Sequence, residues 1–192
     1  MHYCEAVLKM PVDSPHIHYH MKEYGFPIYD DNELFGRLLL EINQAGLSWT
    51  TILNKQDNFR KAYSNFKISE VAGYGENDFK RLMANPGIIR NKLKIEAAIY
   101  NAGIILKLQA DSGSFLKWLE SHQAKSKEEW IKLFRKTFRF TGGEIVNEFL
   151  MSIGFLPGAH LPECPVYEVC KLKGAVHFKQ QIRPPGPSDA NA

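Results

Sequence analysis

Apolar residues along this chain recur three and four positions apart through most of its length, the period of a helix that buries one face. Leu34, Phe35, Leu38, Leu39 and Ile42 set that register first, and Asp31 or Asn32 stands where a cap for a helix running to about Ala45 is needed. Ser48 opens a second helix carrying Ile52, Phe59 and Tyr63, and a third covers Asp78 to Ala84 before Asn85-Pro86-Gly87 breaks the pattern. Ile95, Ile99, Ala102 and Leu106 mark a long amphipathic helix that ends before Ala110-Asp111-Ser112-Gly113. Ser114 starts a short helix with Phe115, Trp118 and Leu119, and Ser126 with Glu129 forms a capping box ahead of Trp130, Leu133 and Phe134. Ile145, Phe149 and Leu150 read as the last main helix, closing at Gly154. The sequence has no strand pattern and no internal repeat, so the expected fold class is all-α. Beyond Lys171 the chain runs into Pro184-Pro185-Gly186-Pro187-Ser188-Asp189, which predicts a disordered tail over 171–192 behind a single domain, or two small lobes, over 1–170.

One residue breaks the pattern. Leu34, Leu38, Glu41 and Ala45 share a stripe, so the Glu41 carboxylate points where the apolar face points. A carboxylate out of water is costly unless paired or hydrogen-bonded, and such groups concentrate at functional sites. The competing explanation is a core glutamate satisfied by an arginine or by backbone NH groups.

Composition narrows the class without naming a function. The chain has 192 residues, 44% of them hydrophobic, enough for one sizeable core. A net charge of +3 is too small to argue for nucleic acid by itself, although a pI near 8.7 permits it. No apolar run approaches the roughly 18 residues of a membrane span, and Met1 to Asp13 lacks the regions of a signal peptide, so the expected setting is cytoplasmic. Three cysteines, Cys4, Cys164 and Cys170, make no even disulfide framework and in a reducing compartment read as metal ligands or inert thiols.

Two further groupings carry chemistry. Asn85 to Ile89 forms a proline-glycine turn between two helices, followed by the basic run Arg90-Asn91-Lys92-Leu93-Lys94. That is the layout of a helix-hairpin-helix, whose backbone NH groups can hold a DNA phosphate. Lys80, Arg81, Lys132, Arg135, Lys136 and Arg139 supply further positive charge. His160 and Cys164 stand four apart and, with Cys4 and His20, provide two thiols and two imidazoles, a set suited to a tetrahedral structural zinc. Spacing does not join the two halves of that set, and His16, His18 and His177 compete as ligands.

The strings LLLEINQAGLSWTTIL over 38–53, NFRKAYSNF over 58–66 and PGIIRNKLKIEAAIYNA over 86–102, with Tyr19-His20, Gly25, Pro27 and Cys4, resemble the type I 3-methyladenine DNA glycosylases. The resemblance spans Cys4 to Cys164 and implies a helix-hairpin-helix glycosylase fold whose terminal segments are tied by a structural zinc held by Cys4, His20, His160 and Cys164. It implies a monofunctional enzyme of base-excision repair, using water to release 3-methyladenine or a close alkylated purine after flipping the nucleotide out of double-stranded DNA. Glu41 then matches the carboxylate that receives the adenine edge, with Tyr19, Tyr24 and Trp49 as pocket residues. Gln44, Gly46 and Leu47 are placed to fill the gap in the duplex, and Gly87, Arg90 and Lys92 to hold the backbone. A monomer with no membrane association is expected. Ala6, Met21, Tyr24 and Ile42 depart from the family pattern, as do Gly143, Glu144 and Asn147 in the last main helix, and the first three bear on lesion preference. The rival reading is a zinc-stapled helix-hairpin-helix DNA-binding protein without catalysis, and a more distant one a small-molecule hydrolase using Glu41.

Overall fold

A computed structural model describes residues 2–181 of the chain, and no strand forms among them. In chain order the helices are α1 (Tyr3–Val7), α2 (Pro15–Lys22), α3 (Asp31–Gln44), α4 (Trp49–Leu53), α5 (Gln56–Ala62), α6 (Ile68–Ala72), α7 (Glu76–Ala84), α8 (Lys92–Ser112), α9 (Phe115–Ser121), α10 (Lys127–Thr137), α11 (Gly143–Ser152), α12 (Pro165–Leu172) and α13 (Val176–Gln181). A short 3-10 turn, Ser64–Phe66, joins α5 to α6.

α3 is the element around which the others pack. α4, α5, α6, α8, α9 and α11 all touch it. Every residue from Leu34 to Asn43 is buried, so the helix is enclosed all round rather than along one stripe. Gly36 is what lets the chain close in on it, since a Cβ there would lie 2.4 Å from the Phe66 ring. The main core is aromatic and aliphatic, with Trp130, Phe35, Phe59, Phe115, Phe134 and Phe149 essentially without exposed surface.

Local signals account for most helix ends. Asp30, one residue before the expected caps, accepts hydrogen bonds from the Asn32 and Glu33 NH groups at 2.8 and 3.0 Å. Asp31 is spent elsewhere: its carboxylate accepts the Phe115 and Leu116 NH groups at 2.7 and 3.0 Å and the Gln109 side chain at 2.7 Å, so it caps α9 from a distance. Asn91 caps α8, and Gly113, at φ 85, ends it in the left-handed region. The Ser126/Glu129 box forms as expected, with hydrogen bonds of 2.8 and 3.3 Å.

The structure departs from the sequence reading in four places. The helix expected to start at Ser48 is two, α4 and α5, interrupted at Asn54-Lys55. α8 runs on through Ala110 to Ser112, because nothing before Gly113 stops it. α1, α2 and α6 are too short to show a period. α12, which begins at Pro165, follows the last helix expected, and the stretch from 171 expected to be a loose tail holds α13, which buries Val176, His177 and Phe178 behind Ala175. Those few apolar residues anchor 171–178 despite the polar composition around them, while the proline-rich 184–189 lie outside the described residues.

Candidate functional site

Two polar groupings lie side by side where α1, α2, α3, α4 and α11 meet. The first is a cavity of about 390 Å³ lined by His2, Tyr3, Tyr19, Tyr24, Glu41, Gln44, Trp49, Glu148, Met151 and Gly158. Its walls are aromatic. Tyr19 lies 5.1 Å from Trp49 and 5.4 Å from Tyr24 between ring centres, and Tyr3 stands edge-on to Tyr24 at 5.4 Å. Glu41 projects into it from α3, only 4% exposed.

The explanation by a satisfied core glutamate fails on partners. Arg37 lies one turn before Glu41, but its guanidinium donates to Glu23 at 2.9 Å and lies over the Tyr19 ring at 4.9 Å. Among the described residues none hydrogen-bonds the Glu41 carboxylate. Burial pushes its pKa up to about 8, with Glu148 adding to the rise and Arg37 opposing it. Trp49 presents a buried Nε1 that has no hydrogen-bond partner in the protein. Glu41 accepts no hydrogen bond and the Trp49 indole NH donates none, so both leave polar capacity facing the cavity.

The expected pocket residues Tyr19, Tyr24, Glu41 and Trp49 therefore come together, and Gln44, expected at the gap in the duplex, lines the same cavity. Of the departures named above, Tyr24 lines the cavity. Met21 does not, being 42% exposed, and Ile42 is a core residue of α3. Tyr3, Met151 and Glu148 were missed. Tyr3 opens a short helix with no period, and Glu148 sits in α11 among polar residues that give no sign of facing inward.

The second grouping is the cluster Cys4, His20, His160 and Cys164, all buried, with ligand atoms within 4.8 Å of one another. The Cys4 Sγ lies 3.6 Å from His160 Nδ1, and the Cys164 Sγ lies 3.6 Å from His20 Nε2 and 3.7 Å from His160 Nδ1. Tetrahedral coordination with Zn–S and Zn–N bonds of 2.0–2.3 Å places sulfur and nitrogen about 3.6 Å apart, so the donor set fits a divalent ion such as zinc. His160 Nε2–H donates to the Tyr24 carbonyl at 2.7 Å, which leaves Nδ1 free to ligate and fixes the ring. Burial, with His160 and His2 adding to it, lowers His20 to about 4 and keeps it neutral. Burial likewise raises the Cys4 thiol to about 11, with Cys164 adding to the rise. These four residues can therefore hold a metal ion, which would take the place of the thiol protons.

The competing histidines are engaged elsewhere. His16 bonds Tyr3 and Thr50 at 2.9 and 2.8 Å, His18 is exposed near Glu23, and His177 bonds the Gly154 carbonyl at 3.0 Å. Cys170 is buried with its Sγ 3.9 Å from the Tyr24 carbonyl and lies outside the ligand set. Gly25, at φ +79, lets the backbone pass the cluster; a Cβ there would lie 2.9 Å from Ala159 and 3.1 Å from the His160 ring. Tyr24 belongs to both groupings: its carbonyl takes His160, and its hydroxyl donates to Glu148 at 3.3 Å.

The hairpin between α7 and α8 leaves Arg90 and Lys92 exposed, with Lys92 loosely paired to Glu96 at 3.8 Å. Gly87 sits tightly at the turn, its NH bonded to Asn85 at 2.8 Å. Lys94 does not join this basic face. Its buried Nζ donates to the carbonyls of Asn43 and Ala45 at 2.8 and 2.7 Å and caps the C-terminal end of α3. The same end of α3 leads into a turn in which Gly46, at φ +81, presents an exposed Leu47, braced by Gln44 Nε2 on the Leu47 carbonyl at 3.1 Å. Lys80 and Arg81 are partly neutralised by Glu76 and Asp78, whereas Lys132, Arg135 and Lys136 are exposed on α10.

These features can be set beside known proteins. A family model described as methyladenine glycosylase matches residues 10–133. The DNA-3-methyladenine glycosylase of Haemophilus influenzae is 31% identical over 171 residues, 79% of this chain and 92% of that protein. DNA-3-methyladenine glycosylase 1 of Escherichia coli K12 is 33% identical over 174 residues, covering 81% and 92%. The structure of 3-methyladenine DNA glycosylase I from Staphylococcus aureus, described as the structural basis of 3-methyladenine recognition, superposes with a TM-score of 0.73 at 32% identity over 81% of this chain and 92% of that one. A crystal structure of 3-methyladenine DNA glycosylase I gives 0.74 at 31% identity over 82% and 96%. Identity above 30% along most of both chains, with a family match across α3 and the α7–α8 hairpin, places this chain in the methyladenine glycosylase family.

Proposed function

We propose that the protein is a monofunctional DNA base-excision glycosylase that hydrolyses the N-glycosidic bond of 3-methyladenine, or of a close alkylated purine, after the nucleotide leaves the duplex. The observation that carries this reading is Glu41, a buried carboxylate with no hydrogen-bond donor of its own, facing an aromatic cavity in a chain of this family. Methylation at N3 makes the adenine cationic and a good leaving group. The protein's task is then to hold it, exclude water from its faces and place negative charge beside it rather than to protonate it. Tyr19 and Trp49 stack on the cationic ring, and Glu41 accepts the hydrogen bonds of its edge. A cation entering the cavity replaces the proton that burial keeps on Glu41.

Duplex DNA lies, in this reading, across the face formed by the Gly46-Leu47 turn and the α7–α8 hairpin. Leu47, with Gln44 and Gly46 behind it, fills the gap left by the flipped base, and Gly87, Arg90 and Lys92 hold the phosphates. Zinc on Cys4, His20, His160 and Cys164 is structural, tying the N-terminal arm to the segment after α11. The test is release of free methylated base from alkylated DNA, followed by chromatography. A protein that binds such DNA at the hairpin and releases no base is the non-catalytic DNA-binding module instead.

A further inference from the structure

Glu148 is a second acid on the same cavity, and the reading above gives it no task. It projects from α11, which packs on α3, and Glu148 with Met151 faces the cavity as Glu41 with Gln44 does from α3. The Tyr24 hydroxyl donates to it at 3.3 Å, and the Asn147 side chain beside it also favours its charged form. Among the described residues, no lysine, arginine or histidine forms an ion pair with Glu41 or Glu148. The buried guanidinium of Arg37 pairs with Glu23 at 2.9 Å, and its field offsets only part of the cost of burying Glu41. Two acids on one apolar, aromatic cavity repel each other and need either a proton or a positive ligand between them.

We propose that Glu148 is a specificity-determining residue of the pocket, which with Glu41 selects bases that carry a positive charge and discriminates against neutral purines of the same shape. This rests on the glycosylase reading and extends it. Burial raises the Glu148 pKa, with Glu144 adding to the rise while the Tyr24 hydroxyl, the Asn147 side chain and Lys127 oppose it. Around Glu41 the charged and titratable groups are Arg37, Glu148, Tyr19 and Tyr24. His2 also lines the cavity. The pair therefore retains a proton near neutral pH, and a cationic base displaces it on binding.

The probes follow from that chemistry: 3,9-dimethyladeninium, a permanent cation that mimics the alkylated nucleoside, and 9-methyladenine, its neutral counterpart. Both are titrated calorimetrically into wild type, Glu148→Gln and Glu148→Asp, in buffers of different ionisation enthalpy across about pH 5 to 9. Melting temperature and metal content are measured on each preparation, and single-turnover base release from alkylated DNA runs alongside. Wild type should prefer the cation and release protons on binding it. Glu148→Gln should bind the cation about tenfold more weakly, leave 9-methyladenine unchanged and release fewer protons, whereas Glu148→Asp recovers part of the preference. An intact Glu148→Gln with the wild-type cation preference and proton count overturns the inference while the glycosylase reading stands. Failure of the wild type to release base from alkylated DNA overturns both.

Discussion

The cluster of Cys4, His20, His160 and Cys164 and the cavity beside it share Tyr24 and a similar depth of burial, yet, His20 Nδ1 apart, the polar groups of the cluster face one another and those of the cavity do not. In the cluster, thiols and imidazoles converge on one another at 3.6–3.7 Å and a backbone carbonyl fixes one ring. In the cavity, the Trp49 indole NH has no acceptor and Glu41 receives no hydrogen bond, with only the field of Arg37 to favour its charge. A group matched by its surroundings holds a fold together. A group left unmatched is stabilised only when something else arrives, and until then the fold bears the cost of burying it.

That contrast predicts where substitutions act, and the largest effect belongs to the cluster. Removing the metal by chelation, or the ligands by His160→Ala with Cys164→Ala, should lower the melting temperature by about 10 °C or more, because metal-binding energy is folding energy. Elemental analysis should find about one equivalent of zinc in the wild type and none in the double variant. An unaltered melting temperature after confirmed metal loss would break the comparison at its first term.

Glu41→Gln tests the other side. Base release should fall by about tenfold to a hundredfold, on the order of 1 to 3 kcal/mol, while zinc stays in place. Stability should move the opposite way. With Glu41 raised to about 8 in the folded protein, an unfolded carboxylate loses its proton near 4.5 and the folded one does not. Wild-type stability contributed by this group is therefore whole below about pH 4.5 and is lost as pH rises to about 8. Melting curves at pH 5 and pH 8 should show the glutamine variant gaining on the wild type at the higher pH. A variant destabilised at both, with normal turnover, returns Glu41 to the core.

Lys94→Met removes the cap on α3 and leaves the Asn43 and Ala45 carbonyls without it, for an expected loss of about 1 to 3 kcal/mol in chemical denaturation. The smallest effect on the fold should come from Arg90→Glu with Lys92→Glu. Stability should be unchanged, affinity for DNA of any sequence weaker, and the slope of log affinity against log salt shallower by about 2. Unaltered binding would shift the DNA surface toward Lys132, Arg135 and Lys136 on α10.

How much of this the chain discloses by itself depends on the range of the interaction. Ser48, Ser114 and Ser126 cap helices that begin at the next residue, and such local signals were legible. Glu41 was conspicuous because a carboxylate in a leucine run is a local contradiction. Asp31 and Lys94 were read in their local setting, as a cap and as part of a basic patch, and both turn out to serve a partner far along the chain, at Phe115 and Asn43. Tyr3 and Glu148 carry no local contradiction at all, so only the packing of α1 and α11 against α3 reveals them. The Cys4, His20, His160 and Cys164 set was assembled through a family resemblance, since no spacing links Cys4 to a histidine 156 positions away.

That separation bears on how the protein is made. A ribosome delivers the chain from its N-terminus, and α3 with its neighbours can begin to pack while the rest is still being synthesised. The cavity cannot be completed then. Glu148, Met151 and Gly158 emerge long after Tyr3, which is held against them by a cluster whose last two members are His160 and Cys164. The pocket is thus finished only when the segment around Tyr3 meets residues 148–164, so a molecule that carries Glu41 and the hairpin but lacks 148–164 has no walled cavity for a base.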